Sequence, residues 1–284
     1  MKLGVIPINV GLTDPAAILA IAQHAEASGI ESVWTFEHAM VPADYESRYP
    51  YHPSGKAGMQ PETPFLDPLV TLSHVAAATT TLRFGTGVNI LPQANPLLMA
   101  KQVATLDVLS QGRLHLGVGV GWLQEEFAAM GTPFARRGAR FDDYLVAMKR
   151  VWSGEMVEHD GEFLQWSGFK SYPLPVQRPH PPIIVGGTSD RAFRRVALHG
   201  DGWFAPNHGV EPLEEMLERL HRVAEANDRD PSSIEVTAMW AMVKEPEALP
   251  AYEALGVTRL VVPLFATGAT DPMEAIDRVV AHRS

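Results

Sequence analysis

Short apolar runs alternate with longer amphipathic stretches along the whole chain, the pattern of repeated β/α units. Leu3–Asn9, Ser32–His38, Leu82–Leu91, Arg113–Gly119, Pro182–Gly186, Gly202–Ala205, Ile234–Met242 and Arg259–Leu264 read as strands. The first helix is introduced by Thr13 or Asp14 as cap, has Pro15 in its first turn and ends near Ser28 and Gly29. Pro96–Leu109, Phe141–Ser153, Ser189–His199, Pro212–Asn227, Pro246–Leu255 and Pro272–His282 carry the same helical patterning. Eight strands and the seven helices that alternate with them approach the eight-and-eight tally of a (β/α)8 TIM barrel, expected as a single domain over residues 1–284.

Two segments are longer than ordinary connections of about 2–6 residues. Ala39–Asp67 follows strand two and carries Tyr45, Tyr49, Tyr51, His52 and Phe65. It lies at the catalytic end of a barrel and reads as a lid and substrate-selecting wall. Gly154–Pro181 precedes strand five, is aromatic-rich, and is long enough to form a hairpin.

Chemistry concentrates where the strands end. Glu37 and His38 close strand two, a carboxylate beside an imidazole suited to acid/base work or to hydrogen bonding a ligand ring. Successive strand residues face opposite ways, so one of the pair aims at the barrel centre. Gly85-Thr86-Gly87-Val88-Asn89 ends strand three, and Gly117-Val118-Gly119-Val120-Gly121 ends strand four. Glycines inside strands weaken them, so this clustering suggests a bulge or a ligand approaching the backbone. The second run is GxGxG and lacks the closing G-x-x-G of a dinucleotide fingerprint. Gly186-Gly187-Thr188-Ser189 leads into a helix, whose free N–H groups suit an anion such as phosphate, with Asp190 opposed by Arg191, Arg194 or Arg195. Arg136, Arg137 and Arg140 read as a solvated charged run or as the grip for an anionic substrate tail. Trp122, Trp166 and Trp203 read as core or wall residues.

Composition narrows the classes. A net charge of -10 argues against nucleic acid as a partner. The chain has no cysteine, so thiolate catalysis and cysteine metal sites are excluded, and no histidine spacing matches a metal motif. Neither a targeting segment nor a membrane span is read in the sequence, so a cytoplasmic location away from membranes is expected.

WxxEH at the end of strand two resembles the bacterial luciferase-like superfamily of flavin and deazaflavin enzymes. So do GTGVNILPxxxPLxxAKQxATLDxLSxGRLxLGVGVGWLxxEFxAMG and PPIIVGGTSDRAFRRVALHGDGWF. The resemblance covers three regions between Met1 and Phe204, the remainder matching only in β/α rhythm. It is nearest to oxidoreductases that use coenzyme F420. It implies His38 as the proton donor near the reactive ring carbon and Glu37 as a cofactor contact that orients the ring or the histidine. It also implies a cis peptide at Gly87-Val88 behind the ring, with Asn89 beside it. The strand-four contact is then Gly119-Val120-Gly121, and a phosphate tail reaches Gly186-Gly187-Thr188. Deazaflavin members more often have Asp where this chain has Glu37. Light-emitting members carry a phosphate-gripping arginine where this chain has Val120, and glucose-phosphate-oxidising members an acidic base where it has Trp122, so neither chemistry transfers. Glu125 or Glu126 could approach the site from the following segment. The resemblance implies a small-molecule substrate and a homodimer as the common assembly. Its alternatives are FMN as cofactor with O2 and a separate flavin reductase, or a flavin-binding barrel without catalysis.

Overall fold

The computed structural model describes residues 1–206 and 209–282. The apolar runs become eight parallel barrel strands, one of them interrupted. They are β1 Lys2–Ile6, β2 Ser32–Thr35, β3 Arg83–Thr86 continued by β4 Asn89–Ile90, β5 Leu114–Gly119, β8 Ile183–Gly186, β9 Gly202–Ala205, β10 Glu235–Met239 and β11 Arg259–Pro263. The sheet runs β3-β2-β1-β11-β10-β9-β8-β5 and closes where Phe84 pairs with Leu114. Eight helices follow the barrel strands in turn: α1 Pro15–Ala27, α2 Pro68–Ala78, α3 Pro96–Leu109, α5 Arg137–Trp152, α6 Asp190–His199, α7 Val210–Glu225, α8 Leu249–Ala254 and α9 Pro272–Ala281. Asp14 caps α1 by accepting from the Ala16 N–H, one helix end whose chemistry the sequence announces. A short extra helix, α4 Gln124–Ala129, sits between β5 and α5, where no periodicity in the sequence is long enough to reveal it.

Strands end earlier than the apolar pattern suggests. The expected strand Leu82–Leu91 is broken into β3 and β4. Four residues lead from Gly85 to Asn89 while three lead from their partners His115 to Val118, so one extra residue is accommodated as a bulge. Phe36 to His38 likewise leave the sheet after β2, where Asn9 takes the Phe36 backbone. The buried Asn9 side chain donates to the carbonyls of Phe36 and Leu66 and accepts from the Phe36 N–H, tying both ends of the 39–67 insertion to the end of β1. The second insertion contains the antiparallel hairpin β6 Val157–Asp160 and β7 Gln165–Phe169. The His159–Asp143 pair, at 2.6 Å, docks this hairpin on α5.

The larger apolar core lies between sheet and helices. Inside the barrel, Ile6, Trp34, Ile184, Phe204 and Val261 form a plug, with Phe36, Val88 and Met239 above it. Next to the plug the fully buried Arg259 donates to both Glu31 oxygens at 2.8 and 2.9 Å and also pairs with Glu235. Paired and hydrogen-bonded in this way, a buried guanidinium is tolerated where an isolated one is not. Among the described residues, no helix is long and apolar enough to cross a membrane.

Candidate active site

A cavity of about 780 Å³ opens where the barrel strands end at their C-termini, its floor made by Phe204 of the plug and by Val88 and Met239 above it. Glu37, His38, Gly87, Val88, Gly119, Val120, Gly121, Gly186, Gly187 and Thr188 all line it. Of the residues expected at the site, Asn89 alone stands behind the wall, where its side-chain amide donates to Glu37.

Glu37 and His38 diverge, as neighbours leaving a strand must. The Glu37 carboxylate turns toward the bulge and accepts from the Asn89 amide and the Ile90 N–H. Burial is the main influence on this carboxyl and raises its pKa to about 7. The two donors pull the other way, and the charges of Asp67 and Glu126 add to the rise. His38 turns instead toward α4, where its Nδ1 lies 3.0 Å from the Glu126 carboxylate. The ring meets Phe65 and Trp122 edge-on. Glu126 is only 2 % exposed and also accepts from the backbone N–H groups of Ala39, at 2.6 Å, and Met40, at 3.3 Å. A single carboxylate thus holds the histidine and the start of the long insertion.

Its neighbour Glu125 does different work. Its Oε1 accepts from the Glu46 and Ser47 N–H groups at 2.8 and 3.1 Å. Burial opposes ionisation, but these hydrogen bonds and the Ser47 hydroxyl hold the carboxyl down at about 2. Only Glu126 reaches the cavity wall. The sequence signal for it was thin: two adjacent acids after a strand, with nothing to say which one turned inward.

The glycines divide into two groups. A Cβ on Gly85 would sit 2.4 Å from the Trp34 ring, and one on Gly117 would sit 1.7 Å from the Thr86 carbonyl oxygen. Both are small because the barrel's own atoms fill the space, and neither lines the cavity. For these two, packing within the barrel, and not an approaching ligand, accounts for the glycine. Gly119, Gly121, Gly186 and Gly187 do face the cavity, and the Gly87–Val88 peptide between β3 and β4 is cis, as the resemblance implied.

At the far end of the cavity Ser189 caps α6, accepting from the Ala192 N–H at 3.2 Å, and Trp203 donates to the Gly187 carbonyl at 2.8 Å. Asp190, which would oppose an anion there, is drawn off by Arg219 at 2.7 Å. Arg137 and Arg195 reach the same wall from α5 and α6, Arg137 donating to the Gly121 carbonyl at 3.0 Å. The charged run that includes Arg137 is therefore not merely a solvated face. Tyr49 and Trp122 meet edge-on with centroids 5.2 Å apart, closing the side of the cavity with the 39–67 insertion.

A cavity of this size lies within the range of organic ligand sites, about 300–1,000 Å³. Its apolar floor suits the face of a flat ring, and two buried polar atoms, Asn89 Oδ1 and Gln93 Nε2, have no protein partner among the described residues. A family model described as luciferase-like monooxygenase matches residues 5–255. The chain belongs to that family. The match runs beyond Phe204, where the motifs legible in the sequence stopped, and takes in strands and helices recognised until then only by rhythm. Members of the family are oxidoreductases, and so is this chain. Relatives differ in the cofactor their names carry. An FMNH2-dependent dimethylsulfone monooxygenase from Pseudomonas putida is 33 % identical over 73 % of this chain and 53 % of its own. An F420-dependent hydroxymycolic acid dehydrogenase from Mycobacterium tuberculosis is 28 % identical over 92 % of this chain and 66 % of its own. The solved F420-dependent secondary alcohol dehydrogenase, bound to an F420-acetone adduct, superposes with a TM-score of 0.77 at 15 % identity. It covers 98 % of this chain and 97 % of that one, a likeness of fold.

Proposed function

We propose that the chain is a coenzyme F420-dependent oxidoreductase, transferring hydride between the deazaflavin and a small, partly apolar organic substrate. The observation that carries this reading is the meeting of His38, Glu37 and the Gly87–Val88 bulge over one apolar floor, with the Gly186–Thr188 loop at the far end. The bound deazaflavin would supply hydride chemistry. The chain's residues do the rest. Gly119, Gly121 and Val88 support the ring, with Glu37 and Gln93 presenting polar atoms at its edge and Asn89 holding Glu37 from behind. Gly186, Gly187 and Thr188 receive the phosphate. His38 moves the proton that accompanies hydride transfer, and Glu126 rather than Glu37 orients it, because Glu126 is the carboxylate at its Nδ1. The 39–67 insertion selects the substrate with Tyr49 and Trp122. The working form is read as a cytoplasmic homodimer.

Val120 in place of a phosphate-gripping arginine supports the deazaflavin over FMN, and the alignment with an F420-dependent relative takes in 92 % of this chain and 66 % of that one. The FMNH2-dependent relative favours a second reading, an oxygen-using monooxygenase supplied by a separate reductase. Assaying oxidation of reduced F420 beside oxygen uptake with reduced FMN separates the two. The first reading expects F420 turnover that His38→Ala abolishes with only modest loss of cofactor affinity. Full activity in that variant refutes the role of His38, and oxygen uptake coupled to substrate oxidation with FMN alone refutes the cofactor assignment.

A further inference from the structure

Beside the main cavity lies a second one of about 570 Å³, in a groove between the start of α5 and the length of α6. Arg136, Arg137, Arg191, Arg194 and Arg195 line it, facing one lining carboxylate, Asp142. Five of the chain's 23 lysines and arginines thus converge on one groove of a protein with net charge -10. Arginines 191, 194 and 195 recur at the i, i+3, i+4 spacing that places them on one face of α6.

Positive side chains in the first turn of a helix work against its dipole, and α5 has no acidic residue there to relieve them. Folding alone does not favour this arrangement. Local partners satisfy only some of the arginines. Arg195 donates to Asp142 at 2.6 and 3.3 Å, and Arg136 pairs with Glu162. Arg191 and Arg194 are exposed and have no side-chain partner among the described residues. The Arg195 guanidinium lies against Gly138, where a Cβ would come within 2.4 Å of its Nη2.

The groove is continuous with the proposed cofactor site. Arg137 and Arg195 line both cavities, and Ser189 and Ala192 carry the main cavity's wall from Thr188 to Arg195. We propose that the groove binds a polyanionic tail of the cofactor, a run of carboxylates extending beyond the phosphate at Gly186–Thr188. Guanidinium groups suit such a tail because they pair with carboxylates in a planar, two-bonded geometry. The inference rests on the deazaflavin reading: F420 carries a chain of glutamyl carboxylates beyond its phosphate, whereas FMN ends at the phosphate.

The test titrates the full chain by fluorescence with F420 bearing several glutamates and with F420 trimmed of all of them. The long-tailed form should bind about tenfold more tightly at low salt, the scale of two or more exposed ion pairs. The Arg191→Ala/Arg194→Ala double variant should lower its affinity to that of the trimmed form and leave the trimmed form unchanged. Molar salt should erase the preference, since exposed charges are screened. Both arginines are exposed and unpaired, so an unchanged melting temperature confirms that the variant is folded. Equal binding of the two forms by the wild type, or a preference that survives in the double variant, overturns the groove assignment and leaves the cofactor reading standing. Failure of both forms to bind overturns the two together.

Discussion

Replacing Glu126 with Gln removes one charge from the cavity wall and keeps the side chain's length. The carboxylate accepts three hydrogen bonds, from His38 Nδ1 and from the Ala39 and Met40 N–H groups. An amide keeps its oxygen for the two backbone donors and presents an N–H to the histidine. In the wild type the carboxylate requires a proton on Nδ1, which leaves Nε2 as the free ring nitrogen. In Glu126→Gln the amide donor requires a lone pair on Nδ1, so the proton of the neutral ring moves to Nε2. The tautomer inverts while the backbone anchors persist. A charge-assisted hydrogen bond of this kind contributes about 1.5–3 kcal/mol, so turnover through Nε2 should fall by roughly 10-fold to 150-fold. The melting temperature should shift little, because the buried oxygen that holds the insertion is retained. Nitrogen-15 NMR of the ring reads the tautomer directly, without a substrate, and His38→Gln assigns the signal. The same tautomer in wild type and Glu126→Gln would refute the claim that Glu126 sets the orientation of His38.

Further outcomes follow from the same contacts. Glu37 keeps its proton to about pH 7 in the fold but releases it near 4.5 when unfolded. The native state therefore binds more protons between those values, and stability should fall by about 3 kcal/mol as pH rises through that window. Glu37→Gln should flatten this slope, measured by denaturant unfolding across pH, and an unchanged slope would show that Glu37 is not its source. Gly117→Ala forces a methyl to within 1.7 Å of the Thr86 oxygen. It should cost at least about 3 kcal/mol and lower the melting temperature by about 6 °C or more; a wild-type melt would contradict the packing role. Glu31→Gln leaves the buried Arg259 short of a charge, a loss of about 3 kcal/mol at neutral pH. Arg259 holds Glu31 at about 2 against the opposing effect of burial, so that contribution is present above pH 4.5 and lost as pH falls toward 2. Acid unfolding curves of wild type and Glu31→Gln should accordingly converge at low pH.

The barrel was legible because its two periodicities are local: apolar strands and capped helices announce themselves without reference to the rest of the chain. Pro96 and Asn95, or Asp14 and Pro15, fix helix starts by their own backbone chemistry. The strand ends were less legible. Whether Phe36 stays in the sheet depends on Asn9, distant in sequence, and the break after Thr86 depends on fitting an extra residue against β5. Glu37 and His38 were found by position, but their separate partners were not, since Glu126 lies 88 residues beyond His38. The glycine runs misled in part. Sequence marks where a side chain is absent, and only packing tells whether Trp34, a carbonyl or a ligand takes the space. Arg137 was ambiguous for the same reason, because its α6 counterpart Arg195 joins it only in the closed barrel.

Titrating the purified protein separately with coenzyme F420 and FMN, by calorimetry or fluorescence, shows which of the two the cavity holds. Saturable one-site binding of F420 and much weaker binding of FMN are expected. Preference for FMN would move the chain to the oxygen-using branch of its family, and binding of neither would contradict the cavity's assignment as a cofactor site.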